Sequence, residues 1–322
     1  AEQEPLSEPQ RANLREIRRD WQRANALPES LVQRRQMASS RCEHAWRTQR
    51  PANDWAGFLE NFRPVLAVAR EEAALLSAQK YDALMDRHEP GMTSATVDRV
   101  FGDLRQWLPG LIARVREHQA AQQARRPLIE PVGPFPIERQ RALCEQVMRL
   151  LGFDFDAGRL DASTHPFCGG VPEDVRLTTR FDETGFLGSL MGTVHETGHA
   201  RYEQNLPREV LGQPVAEARS MALHESQSLS FEMQLGGHPG FAALLAPRLR
   251  QAFGEQPAFE PGNLHRVLTR VKPGLIRVDA DEVTYPAHVL LRYEIERLLI
   301  EGEIEPEDIP ALWDAGMRDL LG

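Results

Sequence analysis

The chain has 322 residues, of which 41% are hydrophobic and 26% charged, a composition typical of a globular protein rather than a disordered or fibrous one. Its 38 basic and 47 acidic residues give a net charge of −9, which argues against nucleic-acid binding because that needs a broad basic face. The arginine-rich residues 11–50 are interpreted as a solvated helix face, with a local basic patch as the alternative.

The cysteines indicate a reducing environment. Cys42, Cys144 and Cys168 are odd in number, widely spaced and never in a CxxC pair, so the sequence predicts neither a disulfide framework nor a thiolate zinc site. Such cysteine usage is typical of cytoplasmic proteins, and we expect that location. We find no signal-peptide pattern and no apolar run long enough to span a bilayer, so no membrane partner is expected.

The first half of the sequence is predicted to be helical. Apolar residues recur at spacings of three and four in LREIRRDWQRANAL, FLENFRPVLAVAREEAALL and VFGDLRQWLPGLIARVREH. The proline-rich residues 127–138, PLIEPVGPFPIE, are the best candidate for a linker or lid, and the helix ERQRALCEQVMRLLG follows them.

One segment of the second half carries a β signal. Alternation in DVRLTTRF, with glycine and proline before it, predicts a short strand or hairpin. From Phe186 the pattern is helical again, and we expect Asp182 or Thr184 to cap that helix. The predicted fold class is therefore mainly α with a small sheet near the active site. We expect one domain, residues 1–322, with a helical N-terminal part at 1–130 and a metal-site part at 131–322.

The stretch HETGH, residues 195–199, predicts a metal site on this helix. His195 and His199 are four residues apart, so both rings project from one helix face and can bind one ion. Glu196 is rotated away by one position and can act as a general base without being a ligand. The alternative is an amphipathic helix with two ordinary half-buried histidines.

A catalytic zinc site needs a third protein ligand, and Glu225 is the candidate. It lies 26 residues after His199, on a helix predicted to span about 214–235. There it would share a stripe with Met221 and Leu229, where a cation would offset the cost of burying its charge. With zinc lowering the pKa of a bound water to about 7 and Glu196 as base, this His2Glu set predicts metal-assisted peptide hydrolysis.

Five motifs resemble one family, the carboxypeptidase Taq family of zinc metallocarboxypeptidases. In order they are HPF at 165–167, DVRLT at 174–178, HETGH at 195–199, HESQ at 224–227 and IRVDAD at 276–281. Similar sequence extends on both sides, so the resemblance covers nearly the whole chain.

The resemblance implies a mostly helical molecule with a deep groove, usually a homodimer, that removes single residues from the C-terminus of peptides with broad specificity. It implies one divalent ion per chain, zinc or alternatively cobalt. By motif position it assigns His195, His199 and Glu225 as ligands and Glu196 as general base.

A carboxypeptidase must also bind a free α-carboxylate, for which a forked arginine is suited. Arg277 in IRVDAD is the first candidate and Arg176 in DVRLT the second. The alternative for each is a structural ion pair, with Asp279 or Asp281 for Arg277 and with Asp174 for Arg176.

Three further side chains are candidates for a hydrogen bond to the substrate carbonyl or oxyanion: His165, His288 and Tyr285. The alternative for each histidine is an ordinary structural role. His224, next to Glu225, is a candidate partner for a ligand.

The sequence departs from the family pattern at both ends. Members usually have a further N-terminal helical region and continue into GxxQDxHW and GYFPTYxLG segments, and neither is present in these 322 residues. Two interpretations stay open: a peptidase weakened because oxyanion donors are missing, acting as a metal-binding helical scaffold, or a piece of a longer enzyme. A different HExxH endopeptidase or aminopeptidase is a further alternative.

Overall fold

The computed structural model describes residues 5–163 and 166–322. The chain divides into two compact units, and the second lies within the first in sequence. Unit 1 comprises the described residues up to Leu111 together with Gln213–Val215 and Tyr285–Gly322. Unit 2 comprises Ile112–Gly212 and Ala216–Thr284. The prediction of one domain with a division near residue 130 stays a prediction.

Helices dominate the described residues and a small sheet accompanies them, as predicted. The α-helices are α1 Glu8–Ala26, α2 Glu29–Gln49, α3 Trp55–Leu76, α4 Lys80–Met85, α5 Ser94–Arg125, α6 Ile137–Leu150, α7 Leu187–Gln204, α8 Met221–Leu229, α9 Pro239–Phe253, α10 Pro261–Leu268, α11 Tyr285–Glu301 and α12 Ile309–Leu321. The strands are β1 Gly158–Ala162, β2 Phe167–Val171 and β3 Asp174–Thr179. No helix among these is both long and apolar enough to cross a membrane.

Unit 1 is built on the packing of α2, α3 and α11. The Asp54 carboxylate caps α3 by accepting a hydrogen bond from the Gly57 N–H. Helix α3 buries Leu59, Leu66 and Ala73, which are spaced by seven residues and share one face, as in an amphipathic helix. This buried face agrees with the apolar spacing in FLENFRPVLAVAREEAALL that predicted a helix here.

Unit 2 has an apolar core formed by α6, α7, α9 and the sheet. Phe135, Phe186 and Phe253 meet at ring-centroid distances of 5.0 to 5.1 Å within this core. The buried Gln140 amide accepts a hydrogen bond from the Ser189 hydroxyl, which joins α6 to the start of α7. The first turns of α7 are therefore held by buried contacts.

Strand β3 is the centre of the sheet, whose order is β1-β3-β2. It runs parallel to β1 and antiparallel to β2, with Leu177 opposite both Leu160 and Cys168. Val175 and Leu177 are fully buried on one face, which confirms the alternation predicted for DVRLTT. The Thr179 hydroxyl donates to the Ser189 carbonyl, so the sheet also contacts α7.

The predicted cap of α7 is wrong. The helix begins at Leu187 and its N-cap is Phe186, without a capping side chain. Asp182 instead accepts hydrogen bonds from the Thr184 N–H and hydroxyl in the preceding turn. Asp and Thr side chains readily form such local hydrogen bonds in turns. These two residues therefore stabilise the turn that precedes α7 and do not cap the helix.

The single helix predicted at 214–235 is also wrong. A 3₁₀ turn at Pro214–Ala216 comes first, α8 begins at Met221 after the Ser220 cap, and a π-helix at Ser230–Leu235 follows. The Ser230 hydroxyl donates to a backbone carbonyl four residues earlier. Such bonds compete with regular helix geometry, and hydrophobic periodicity does not reveal them.

Candidate metal centre

Helix α7 carries both histidines of HETGH through the interior of unit 2. Its other faces are buried, with Leu190, Val194 and Ala200 fully inaccessible to solvent. The His195 and His199 rings meet edge to face, with centroids 5.0 Å apart and an interplanar angle of 81°. The predicted placement of the two imidazoles on one helix face therefore agrees with the structure.

Glu225 approaches these rings from α8. Its Oε2 lies 3.3 Å from His199 Nε2 and 3.9 Å from His195 Nε2. One ligand atom from each of the three residues falls within 4.8 Å of the other two. The structure thus brings together the three residues that the spacing of the sequence predicts.

This cluster fits a divalent cation. Imidazole nitrogen and carboxylate oxygen are zinc ligands, and tetrahedral bonds of about 2 Å place ligand atoms about 3.4 Å apart. The distances from Glu225 to the two imidazole nitrogens, 3.3 and 3.9 Å, are close to that spacing. Imidazole and carboxylate also bind other divalent metals, so the donor set does not select one ion.

The Glu225 carboxylate is held in its ionised form. Its hydrogen bond with His199 lowers the pKa of Glu225 to about 2, against the opposing effect of partial burial. The Ser228 hydroxyl lies 3.3 Å from Oε2 and supports the same form. An ionised carboxylate is the form that binds a cation.

The expectation that Glu225 is buried among apolar side chains is wrong. Its side chain is 37% exposed, and Met221, on the predicted stripe, is 44% exposed. Helix α8 is only nine residues long, and its backbone at Gln227 and Ser228 lies against Gly198 of α7. Its carboxylate is therefore reachable from solvent.

Glu196 lies on the buried side of α7. It is only 6% exposed, and burial raises the pKa of this carboxyl above its usual value, although His195 and His199 oppose the effect. A carboxylate with a raised pKa is a better proton acceptor than a solvated one.

The Nδ1 atom of each imidazole, which does not face Glu225, also has a hydrogen-bond partner. His195 Nδ1 lies 2.8 Å from Glu232 Oε2, and His199 Nδ1 lies 2.6 Å from His224 Nδ1. His224 Nε2 in turn lies 2.6 Å from Glu203 Oε1. Burial alone would lower the pKa of His195, but the hydrogen bond to Glu232 and the nearby carboxylates together raise this pKa above its usual value.

Of these partners only His224 was predicted from the sequence. Glu203 and Glu232 were missed. A signal for Glu203 was available, because it lies four residues after His199 and thus one turn further along the same helix face. For Glu232 the only signal was its spacing of seven from Glu225, and the π-helix changes that geometry.

The two candidate arginines differ in their surroundings. Arg176 is exposed on β3 and pairs with Asp174 at 2.6 Å, which is the structural ion pair considered as its alternative. Arg277 begins a 3₁₀ turn at Arg277–Asp279 and is half-buried. Both residues belong to unit 2, as does the cluster of His195, His199 and Glu225.

The other predicted substrate residues are not in the described part of unit 2. Tyr285 and His288 belong to α11 in unit 1, where His288 is fully buried. His165 falls outside the described residues. Substrate roles for these three residues stay predictions.

This chain is similar to several known carboxypeptidases. A family model described as carboxypeptidase Taq (M32) metallopeptidase matches residues 1–322. Thermostable carboxypeptidase 1 of Thermus thermophilus is 40% identical over 99% of this chain and 64% of its own length. Carboxypeptidase 1 of Bacillus subtilis is 33% identical over 98% of this chain and 63% of its own length.

Solved structures agree with the sequence comparisons. Trypanosoma cruzi metallocarboxypeptidase 1 superimposes with a TM-score of 0.93 at 50% identity, over 98% of this chain and 64% of that one. Pyrococcus furiosus carboxypeptidase gives a TM-score of 0.90 at 30% identity, over 99% of this chain and 64% of its own. The chain thus spans less than two thirds of the length of each of these relatives.

Proposed function

Because the chain belongs to the carboxypeptidase Taq (M32) family of metallopeptidases, we propose that it acts as a metal-dependent carboxypeptidase, hydrolysing the C-terminal peptide bond of peptides. One observation carries the proposal. His195, His199 and Glu225, from two helices, present ligand atoms within 4.8 Å of one another, next to the buried carboxylate of Glu196.

His195, His199 and Glu225 would hold one divalent ion, which we propose is zinc, with cobalt as the alternative. Such an ion polarises a carbonyl and lowers the pKa of water to about 7. The half-exposed position of Glu225 leaves the cluster open to a substrate on that side.

Glu196 is the proposed general base. As water attacks the carbonyl carbon of the last peptide bond, the Glu196 carboxylate takes one of its protons. The same group then gives this proton to the leaving amine nitrogen as the C–N bond breaks. A positioned base of this kind contributes about 10²- to 10⁴-fold in rate.

The free α-carboxylate of the substrate needs a cationic partner, and Arg277 is our first candidate. Arg176 is the second, but its guanidinium already forms three hydrogen bonds with Asp174. Tyr285, His288 and His165 stay candidates for hydrogen bonds to the substrate. Broad specificity, a homodimer and a cytoplasmic location also stay predictions.

A C-terminal ladder assay tests this function. An unblocked peptide is incubated with the protein and added zinc, or cobalt, and its products are followed by mass spectrometry beside a Glu196→Gln variant. Successive loss of C-terminal residues, abolished by the variant and absent for a C-terminally amidated peptide, is expected.

Other outcomes identify the rival functions. Internal cleavage, or cleavage of the amidated peptide, would indicate an endopeptidase or aminopeptidase instead. Absence of any cleavage, with one equivalent of metal bound, would overturn the catalytic proposal in favour of a metal-binding scaffold.

A further inference from the structure

The two imidazoles of the candidate metal centre have different hydrogen-bond partners at Nδ1, the ring nitrogen that does not face Glu225. In each ring Nε2 faces Glu225, at 3.9 Å for His195 and 3.3 Å for His199. The Nδ1 atom of each ring points to another side chain at 2.8 Å or less. The metal-facing and protein-facing nitrogens are thus the same in both rings.

We propose that Glu232 and the pair His224–Glu203 are positioning residues of the metal centre, which direct Nε2 of His195 and of His199 toward the ion. The inference rests on the proposed function, because it requires that the two histidines are ligands. It assigns a role to three side chains that are not themselves ligands.

The hydrogen atoms can be assigned consistently along the chain from His199 through His224 to Glu203. If its Nε2 offers a lone pair to a metal, its Nδ1 carries the hydrogen and donates to His224 Nδ1. His224 then carries its own hydrogen on Nε2 and donates it to Glu203 Oε1, 2.6 Å away. Every donor meets one acceptor, so a single tautomer of His224 satisfies both contacts.

At His195 a single hydrogen bond takes the place of this chain of two. Its Nδ1–H donates directly to the Glu232 carboxylate, without an intervening imidazole. A hydrogen bond to a charged acceptor is about twice as strong as a neutral one, so Glu232 should hold its ring more firmly than His224 holds His199.

Local backbone geometry explains how Glu232 reaches His195. Glu232 lies in the π-helix Ser230–Leu235, whose wider turn rotates its side chain relative to an unbroken continuation of α8. Gly236 allows this turn to close, since a Cβ there would collide with the Glu232 carbonyl oxygen. Glu225 and Glu232 can therefore lie on opposite sides of one imidazole.

The burial of these side chains fits the role. His224 and Glu203 are 13% and 21% exposed, and Glu232 is 31% exposed. Partly buried charge-assisted hydrogen bonds are screened less by water than surface ones. His224 also contacts the Tyr202 ring at a centroid distance of 5.2 Å, which restricts its orientation.

The experiment measures zinc affinity by competition with a chelator, for the full chain and for variants. Glu232→Ala and His224→Phe remove the acceptors, and we expect each to weaken zinc binding about 10- to 100-fold. Glu232→Gln keeps an acceptor oxygen and should recover part of the affinity. Glu209→Ala removes an exposed carboxylate outside the network and serves as the matched control.

Two readouts separate positioning from a merely structural role. The visible absorption bands of the Co²⁺-loaded protein should shift in Glu232→Ala and His224→Phe. The melting temperature of the metal-free variants should stay within a few degrees of the parent. If Glu232→Ala fails to fold, zinc affinity is measured on the isosteric variants Glu232→Gln and Glu203→Gln instead. Weaker zinc binding than in the parent is then the expected result.

Unchanged zinc affinity and cobalt spectra in the folded variants would overturn the proposal. A parent protein that binds no zinc would instead overturn the metal centre itself, and this inference with it. A parent that binds zinc but cleaves no peptide contradicts only the proposed activity, and the affinity comparison still decides the positioning roles.

Discussion

Gly198 of α7 lies directly against Ser228 of α8. A Cβ built on Gly198 would come within 2.6 Å of both the Ser228 Cα and the Gln227 carbonyl oxygen. Because both neighbours are backbone atoms, neither can rotate away. This crossing point sets the distance between the helix with the two histidines and the helix with Glu225.

We therefore expect Gly198→Ala to displace α8 and to weaken zinc binding at least about 10-fold. Overpacking of a tight contact should also cost about 1–3 kcal/mol of unfolding free energy. Gly188→Ala, on the same helix with no atom within 4 Å of its Cβ, is the matched control and should be neutral or slightly stabilising. Equal zinc affinity in both variants would contradict the prediction.

The neighbouring residues Glu71 and Glu72 allow a second matched comparison. Glu72 is 3% exposed and accepts hydrogen bonds from Arg35 and Arg87, whereas Glu71 pairs with Arg34 on the surface. Glu72→Gln leaves two guanidinium groups without their counter-charge, and we expect a loss of about 2 kcal/mol or more.

Glu71→Gln should cost clearly less than Glu72→Gln, because exposed ion pairs contribute little. Both values come from urea unfolding curves of the two variants at one pH. Similar losses in the two variants would show that burial of Glu72 is not what makes its pairing matter.

Asp86 should make stability depend on pH in the acid range. Burial alone would raise its pKa, but hydrogen bonds from the Gly91 N–H and from Arg23 lower the pKa below the ordinary value of 3.8. The folded state thus favours the carboxylate, and its contribution is present above pH 3.8 and lost as pH falls through the lower folded-state pKa.

The test is the difference in unfolding free energy between the parent and Asp86→Asn. We expect a difference of about 0.5 kcal/mol near pH 6, small because the carboxylate is 42% exposed, and a smaller one near pH 3. A difference that grows as the pH falls would reverse the sign and contradict the assignment.

The thiols should be unreactive in the folded protein. Burial raises the pKa of Cys144 to about 11, and burial raises that of Cys168 to about 12 with a contribution from Glu196. Only a very small fraction of either is thiolate at pH 7.5. We expect reaction with Ellman's reagent at least about 10-fold slower than free cysteine, and three thiols titrated in guanidinium chloride.

Rapid titration of one thiol in the native protein would contradict this prediction. The cysteine variants Cys42→Ala, Cys144→Ala and Cys168→Ala would then identify the reactive group by loss of the fast phase.

Local patterns account for much of the fold. The alternation that predicted β3 is realised with Val175 and Leu177 buried, because strand geometry places every second side chain on one face. The spacing of His195 and His199 placed both rings on one face for the same kind of reason. Predictions failed where side chains bond to nearby backbone, as at Asp182 before α7 and at Ser230 after α8.

The sequence by itself determined the helical class, the small sheet, the family and the three residues that converge on a candidate metal. These follow from periodicities and motifs within short stretches. Only the tertiary structure decided how exposed Glu225 is and that α7 and α8 cross at Gly198. It also decided that Glu232 contacts His195 and that Glu203 contacts His224. Those properties depend on the crossing of helices and on one π-turn, and contacts between separate elements leave no fixed period in the sequence.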